Sequence, residues 1–353
     1  MGLFNDRTKF SNNKEGVPVW FMRQAGRYHS HYQSIKLNSD FMTMCKTPQL
    51  ASEITLGPIQ SFNFDAAILF SDLLFPLEQL GLGLSYQSGP PTLEIKLDKN
   101  ETIKNLKIKE ASKTFYLFQK EALLELRQKL KSNISLLGFV GGPLTLYTYA
   151  CEGSHSGNLI SSKQGLYDGR YKNFLEILMP NLLENMLIQA EGNANAICIF
   201  DTAAGEFALR EYKNFIVPAL RDLCTAFKTQ KPNCKIVYYS KMTHIEYFKV
   251  LDQSFLNEPQ IDVLGIDWRM DLPSMLDQFS ERYYIQGNLD PSLLHLPWNV
   301  LGPILHNWWK ELHPLGATKL KKWIAGLGHG VLQLTPEENV FNTVKTIHDH
   351  FQY

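Results

Sequence analysis

Two arginines four residues apart, Arg23 and Arg27, bracket Gln24, Ala25 and Gly26 near the start of the chain. A guanidinium is a planar fork of donors that grips a carboxylate through two parallel hydrogen bonds. Bracketing Ala-Gly, the two forks can project from one turn toward one anionic ligand. The plainer alternative is a pair of surface arginines in weak salt bridges. Lys36 adds a third cation a short helix later. Asp72 stands between the apolar runs Ile68-Leu69-Phe70 and Leu73-Leu74-Phe75, which predicts a partly desolvated carboxylate. It reads either as a ligand-facing charge or as a helix N-cap bonded to backbone amides. Beside arginines it is expected to stay ionised, because nearby positive charge lowers a carboxylate's pKa.

Two further groups belong with these. Gly141-Gly142-Pro143 lets the backbone approach a bulky ligand closely, and Tyr149 follows on the next helix. Tyr149 is then either a hydrogen-bonding group of a pocket or a core tyrosine. His329 lies between Gly328 and Gly330. There it would bind a carboxylate when protonated or act as a donor when neutral.

These residues need a scaffold that brings distant segments together. Short apolar runs at 17–22, 65–70, 135–141, 196–200, 235–240, 261–266, 282–286 and 323–325 read as strands buried on both faces. Segments with helical periodicity lie between them at 48–62, 111–131, 172–192, 211–229, 243–255, 273–279, 297–312 and 336–351. The last opens with Thr335 as the expected cap and Pro336 in the first turn. Eight strand–helix pairs predict an α/β fold, a single (β/α)8 TIM-type barrel over 17–353 after a polar N-terminal segment 1–16. Residues 85–109 read as an irregular polar insertion. In such a barrel the chemistry sits in a cleft at the C-terminal ends of the strands, where Arg23, Arg27, Asp72, Gly141-Gly142-Pro143, Tyr149 and His329 fall.

Composition narrows the partners. Thirty-five basic and 35 acidic residues give no net charge in the 353-residue chain, unlike a strongly basic nucleic-acid binder. No run approaches the ~18 consecutive apolar residues of a membrane span. The first residues carry no apolar secretory core, and five scattered cysteines fit reduced thiols, so a cytoplasmic protein is expected. Nucleotide loops, a nucleophile elbow and paired Cys or His zinc motifs are missing from the sequence.

The motifs taken together resemble the uroporphyrinogen decarboxylases. Those that carry the resemblance are Pro18-Val19-Trp20-Phe21-Met22-Arg23-Gln24-Ala25-Gly26-Arg27, residues 65–72, and residues 138–145 through Tyr149. Gly265-Ile266-Asp267-Trp268, residues 286–291 and Leu327-Gly328-His329-Gly330 complete the set in family order. The resemblance implies a homodimer of single-domain barrels that needs no cofactor and no metal. It implies stepwise decarboxylation of the four acetates of uroporphyrinogen III, giving coproporphyrinogen III and carbon dioxide in heme biosynthesis. Asp72, Arg23 and Tyr149 would form the catalytic set. Arg23, Gln24, Ala25, Gly26, Arg27, Lys36, Asp72, Tyr149, Thr202 and His329 would bind the tetrapyrrole. Four departures stand out: Leu144 for an aromatic residue, His29-Ser30-His31 for a Leu-Pro stretch with an acid, Lys36 for Arg, and Thr202 for Ser. A related methyltransferase would need His and Cys zinc ligands, and no cysteine sits in such a pattern. A non-catalytic tetrapyrrole binder would gain little from a central carboxylate.

Overall fold

The computed structural model describes residues 16–86, 90–106, 113–256 and 260–351. Apart from Gly16, the polar segment 1–16 therefore lies outside the described residues, as do the first residues expected in helix 111–131. Seven of the apolar runs form one parallel sheet. They are β1 (Ala66–Ile68), β2 (Ser135–Gly141), β3 (Ala196–Asp201), β4 (Lys235–Ser240), β5 (Val263–Gly265), β6 (Tyr284–Leu289) and β7 (Trp323–Leu327). Each strand pairs with the next in chain order, with Ala66 opposite Ser135 at one end and Ile285 opposite Trp323 at the other. Parallel neighbours require a crossover, and helices such as Arg170–Glu191 and Val217–Gln230 supply it while covering the outer face.

Alternation along each strand sorts the side chains into two cores. Leu136, Ile197, Ile199, Ile236, Tyr238 and Leu264 face outward to the helices. Leu137, Cys198, Val237, Tyr239, Val263 and Ile324 join Trp20, Met22, Ala66 and Ile68 in a separate inner cluster. Side chains of successive strands can meet on one inner face only if the sheet curls.

The expected first strand is a correction. Residues 17–22 form no regular strand, only an isolated parallel bridge between Val19 and Ala325. Ala325 donates to the Pro18 carbonyl at 2.8 Å and accepts from Trp20 at 3.2 Å. On its other side Val19 accepts from the Asp65 amide at 2.9 Å, but its own N–H goes to the Asp65 carboxylate at 2.7 Å. Pro18 has no N–H to give and Val19 spends its own on a side chain, so the ladder is too short to extend. His348 also bonds Asp65 Oδ2, at 2.9 Å, which ties the C-terminal helix Glu337–His350 to the same point.

Other boundaries moved by a few residues. Helix Pro48–Phe62 and helix Leu272–Phe279 stand as expected, the latter capped by Asp271. Thr335 is not the cap of the last helix: Pro336 holds that position, and the Thr335 hydroxyl donates to the Leu332 carbonyl instead. The insertion 85–109 is more ordered than its polarity suggested. Leu84–Ser85 pairs antiparallel with Thr92–Leu93, and Leu97 beyond them is fully buried.

Candidate active site

The expected site residues leave the sheet at its C-terminal edge. Arg23 follows the bridging segment, Asp72 lies four residues beyond β1, and Tyr149 sits on helix Pro143–Glu152 after β2. Thr202 follows β3 and His329 follows β7. Arg23 takes a left-handed backbone, φ 57°, and lays its side chain across Gly330. A Cβ at Gly330 would lie 2.4 Å from Arg23 Cδ, so glycine is required where the two ends of the chain meet.

Asp72 is buried, and its Oδ1 accepts the Leu74 amide at 2.9 Å. Its Oδ2 accepts the Tyr86 hydroxyl. Asp72 thus caps a turn through a backbone amide, as the plainer reading expects. Its charge state is a correction. Burial, reinforced by Glu78, outweighs the amide bonds and the Arg23 charge and pushes the carboxyl up to about 7. One arginine across a cleft does not replace the water that a buried carboxylate loses.

Arg23 acts electrostatically on Asp72, Tyr149, His155 and His329. Tyr149 is half-buried, and its hydroxyl lies 2.7 Å from His155 Nδ1. Burial first, then Asp72, raises its phenol to about 12. Burial and the charges of Arg23 and Lys241 push His329 down to about 3, so it is neutral. Its Nδ1 accepts the Gly330 amide at 2.6 Å, which leaves the proton on Nε2. Of the two roles open to His329, this geometry selects the neutral donor.

The other expected ligands are either engaged in the fold or exposed beside it. Gln24 is buried, and its amide donates to the Ala66 carbonyl at 2.9 Å, bracing the turn. Ala25 packs beside Tyr32 and Ile54, and Gly26 makes the turn over the Arg23 carbonyl. Arg27 is exposed and acts on Tyr32, while Lys36 is exposed at the end of helix Ser30–Lys36. The pair Gly141-Gly142 makes room for neighbouring side chains. A Cβ at Gly142 would lie 2.7 Å from the Asp201 carboxyl, and one at Gly141 2.8 Å from Leu146. Asp201 is fully buried and raised to about 6 by that burial, although Thr145 Oγ1 donates to it at 2.8 Å and Tyr238 at 3.1 Å. It ties the end of β3 to helix Pro143–Glu152 and to β4, next to Thr202, which is half-buried. Leu144 lies in the outer core and His29 bonds Ser61, so these departures fall in packing.

Sequence reasoning missed Lys241, Arg269, Tyr86 and His155. Lys241 follows β4 directly, the same kind of position that His329 holds after β7. Arg269 pairs with buried Asp267 at 2.8 Å and stacks on Trp268. Tyr86 lay in the insertion read as irregular and polar. Two cavities, of about 910 and 420 Å³, lie away from this rim, the larger at the N-terminal ends of β2 and β4 beside Arg127, Asn195 and Lys235. Among the described residues, no three His, Cys, Asp or Glu side chains are grouped to hold a metal. No described helix is long and apolar enough to cross a membrane. The rim thus offers a buried carboxyl that hydrogen-bond donors can ionise, surrounded by cations and neutral donors that suit a ligand rich in carboxylates.

The family described as uroporphyrinogen decarboxylase (URO-D) matches residues 11–350. A uroporphyrinogen decarboxylase of Koribacter versatilis is 32% identical, covering 95% of this chain and 93% of its own. One from Dictyostelium discoideum is 33% identical, covering 94% and 90%. A methyltransferase from Methanosarcina mazei shares the fold with a TM-score of 0.70 at 15% identity, over 95% of this chain and 94% of its own. With the family matched across nearly all of its length, the chain belongs to the uroporphyrinogen decarboxylase family.

Proposed function

We propose that this chain is a carboxy-lyase that converts uroporphyrinogen III to coproporphyrinogen III, removing four acetates as carbon dioxide in porphyrin and heme biosynthesis. The observation that carries the reading is Asp72, a buried carboxyl beside Arg23 and Tyr149 on a rim of cations. A pyrrole acetate has no neighbouring carbonyl to take the electrons left by carbon dioxide. Protonating the ring at its α-carbon makes a cationic ring that accepts them. Carbon dioxide then leaves, the exocyclic methylene takes a proton to become methyl, and the ring gives up its α-carbon proton to restore the pyrrole.

Asp72 suits the centre of that chemistry. The flexible macrocycle can dome so that its pyrrole N–H groups converge on the carboxylate, replacing the solvation lost on burial. The charge then stabilises the cationic ring, and a preorganised charge of this kind contributes on the order of 10²–10³ in rate. Arg23, Arg27, Lys36 and Lys241 would hold peripheral carboxylates, with Thr202 and His329 orienting them. The scheme uses the chain's own side chains and the substrate ring, with no cofactor. The bridging segment 17–22, bonded to β7 on one side and to Asp65 on the other, supports an eighth position that closes the sheet into a (β/α)8 barrel. The family reading extends to a cytoplasmic homodimer.

The test is anaerobic incubation of the protein with uroporphyrinogen III and no added cofactor, separating products by carboxyl count. Stepwise seven- to four-carboxyl products are expected. Unchanged substrate from folded protein would overturn the reading.

A further inference from the structure

Tyr149 lies three residues before the end of helix Pro143–Glu152, and the chain then turns at Gly153, φ 74°. The turn folds the loop back so that His155 covers the tyrosine. Its Nδ1 is 2.7 Å from Tyr149 Oη, and the rings are 5.2 Å apart with a 38° tilt. His155 is half-buried. Burial and the charges of Lys241 and Arg23 lower it to about 4, so at neutral pH it carries one ring proton.

A neutral imidazole offers one N–H and one lone pair, which permits two arrangements. Either Nδ1–H donates to Oη and the phenolic hydrogen is free for the cleft, or the phenol donates to Nδ1 and shows the cleft only lone pairs. A carboxylate ligand accepts hydrogen bonds and is repelled by lone pairs. Tyr149 stays protonated, so its one useful contribution to an anionic ligand is its hydrogen. The first arrangement makes that hydrogen available; the second withholds it.

We propose that His155 is a positioning residue: in the liganded cleft it holds its proton on Nδ1 and so makes Tyr149 a hydrogen-bond donor to a substrate carboxylate. This rests on the decarboxylase reading above. His329 is then its complement, with its proton on Nε2 because the Gly330 amide occupies Nδ1. Two neutral histidines on one rim, locked in opposite tautomers, each leave a donor facing the ligand.

A double-mutant cycle in kcat/KM for uroporphyrinogen III tests it. His155→Ala is expected to lose about tenfold alone and less than about twofold in a Tyr149→Phe background, because its effect passes through the hydroxyl. His155→Asn, whose amide can donate to Oη from the place of Nδ1, should stay within about threefold of the parent. Additive losses, or an Asn variant no better than Ala, overturn the proposal. Nitrogen NMR of ¹⁵N-histidine-labelled protein bound to uroporphyrin, the oxidised octacarboxylic macrocycle, reads the tautomer without turnover. A proton on His155 Nδ1 is expected, and a bare Nδ1 overturns the assignment. If the parent binds the macrocycle but does not turn over, the decarboxylase reading fails and the NMR decides the tautomer on its own.

Discussion

Replacing Asp72 by asparagine should make the folded protein more stable and nearly inactive. Burial moves this carboxyl from 3.8 to about 7. At 1.36 kcal/mol for each unit, the ionised native form carries a cost of about 4 kcal/mol at pH 8. The folded pKa is raised, so the native state binds the proton more tightly than the unfolded chain. The cost is therefore absent well below 3.8, grows as pH rises through the interval to 7, and is constant above it. An asparagine side chain is close in shape, can keep the Leu74 amide bond, and never ionises. The advantage of Asp72→Asn should be about 4 kcal/mol at pH 8, about 2 at pH 5 and under about 1 at pH 4. Urea unfolding of parent and variant at these three pH values measures it. Turnover should fall on the order of 10²–10³, because the charge that destabilises the empty site is the one the cationic ring needs. A variant whose stability relative to the parent does not change between pH 4 and 8 would refute the argument. It would mean that Asp72 is ionised and solvated in the empty cleft. Turnover within about twofold of the parent would separately remove the charge-stabilising role.

Three further outcomes follow from the geometry. Arg23→Gln should raise the His329 pKa, read by NMR titration of the ring, and weaken macrocycle binding about tenfold or more; an unmoved histidine would break the electrostatic link. Thr145→Val removes a hydroxyl from Asp201, fully buried, and should cost about 1–3 kcal/mol in denaturant unfolding; a neutral result would show that the bond contributes nothing. Burial opposes a charged His348, but the bond to Asp65 prevails and raises its pKa. The stability it adds is full below 6.5 and lost as pH rises through the higher folded value, so His348→Ala should cost more at pH 6 than at pH 8. Equal costs at the two pH values would show that no proton is linked to that contact.

How much was legible in the sequence differs between scaffold and site. Parallel strands covered on both faces are continuous apolar runs, and these located all seven strands of the sheet to within a few residues. The bridging segment was harder, because its apolar run is strand-like while Pro18 and the Asp65 side chain cut its ladder short. Motif order was enough to identify the family, since six spaced segments rarely agree by chance. Arg23, Asp72, Tyr149 and His329 could be gathered on one rim from the sequence because chemistry in such a sheet sits after strand ends, and the family resemblance added Thr202. Whether a side chain turns into the cleft was not legible. Gln24 sits between two arginines in sequence and points the other way, because its amide satisfies the Ala66 carbonyl.

Charge states were decided entirely by tertiary structure. The sequence reading placed arginines near Asp72 by gathering strand ends on one rim, and it left His329 free to be protonated. Folding removed water from both; at Asp72 that loss outweighs the Arg23 charge, and at His329 the nearby cations add to it. Lys241, which depresses both histidines, comes from a strand more than 80 residues before His329 in the chain. A residue's type and its neighbours in sequence are written in the chain. The solvent it loses and the charges it meets depend on contacts between segments that only the fold brings together.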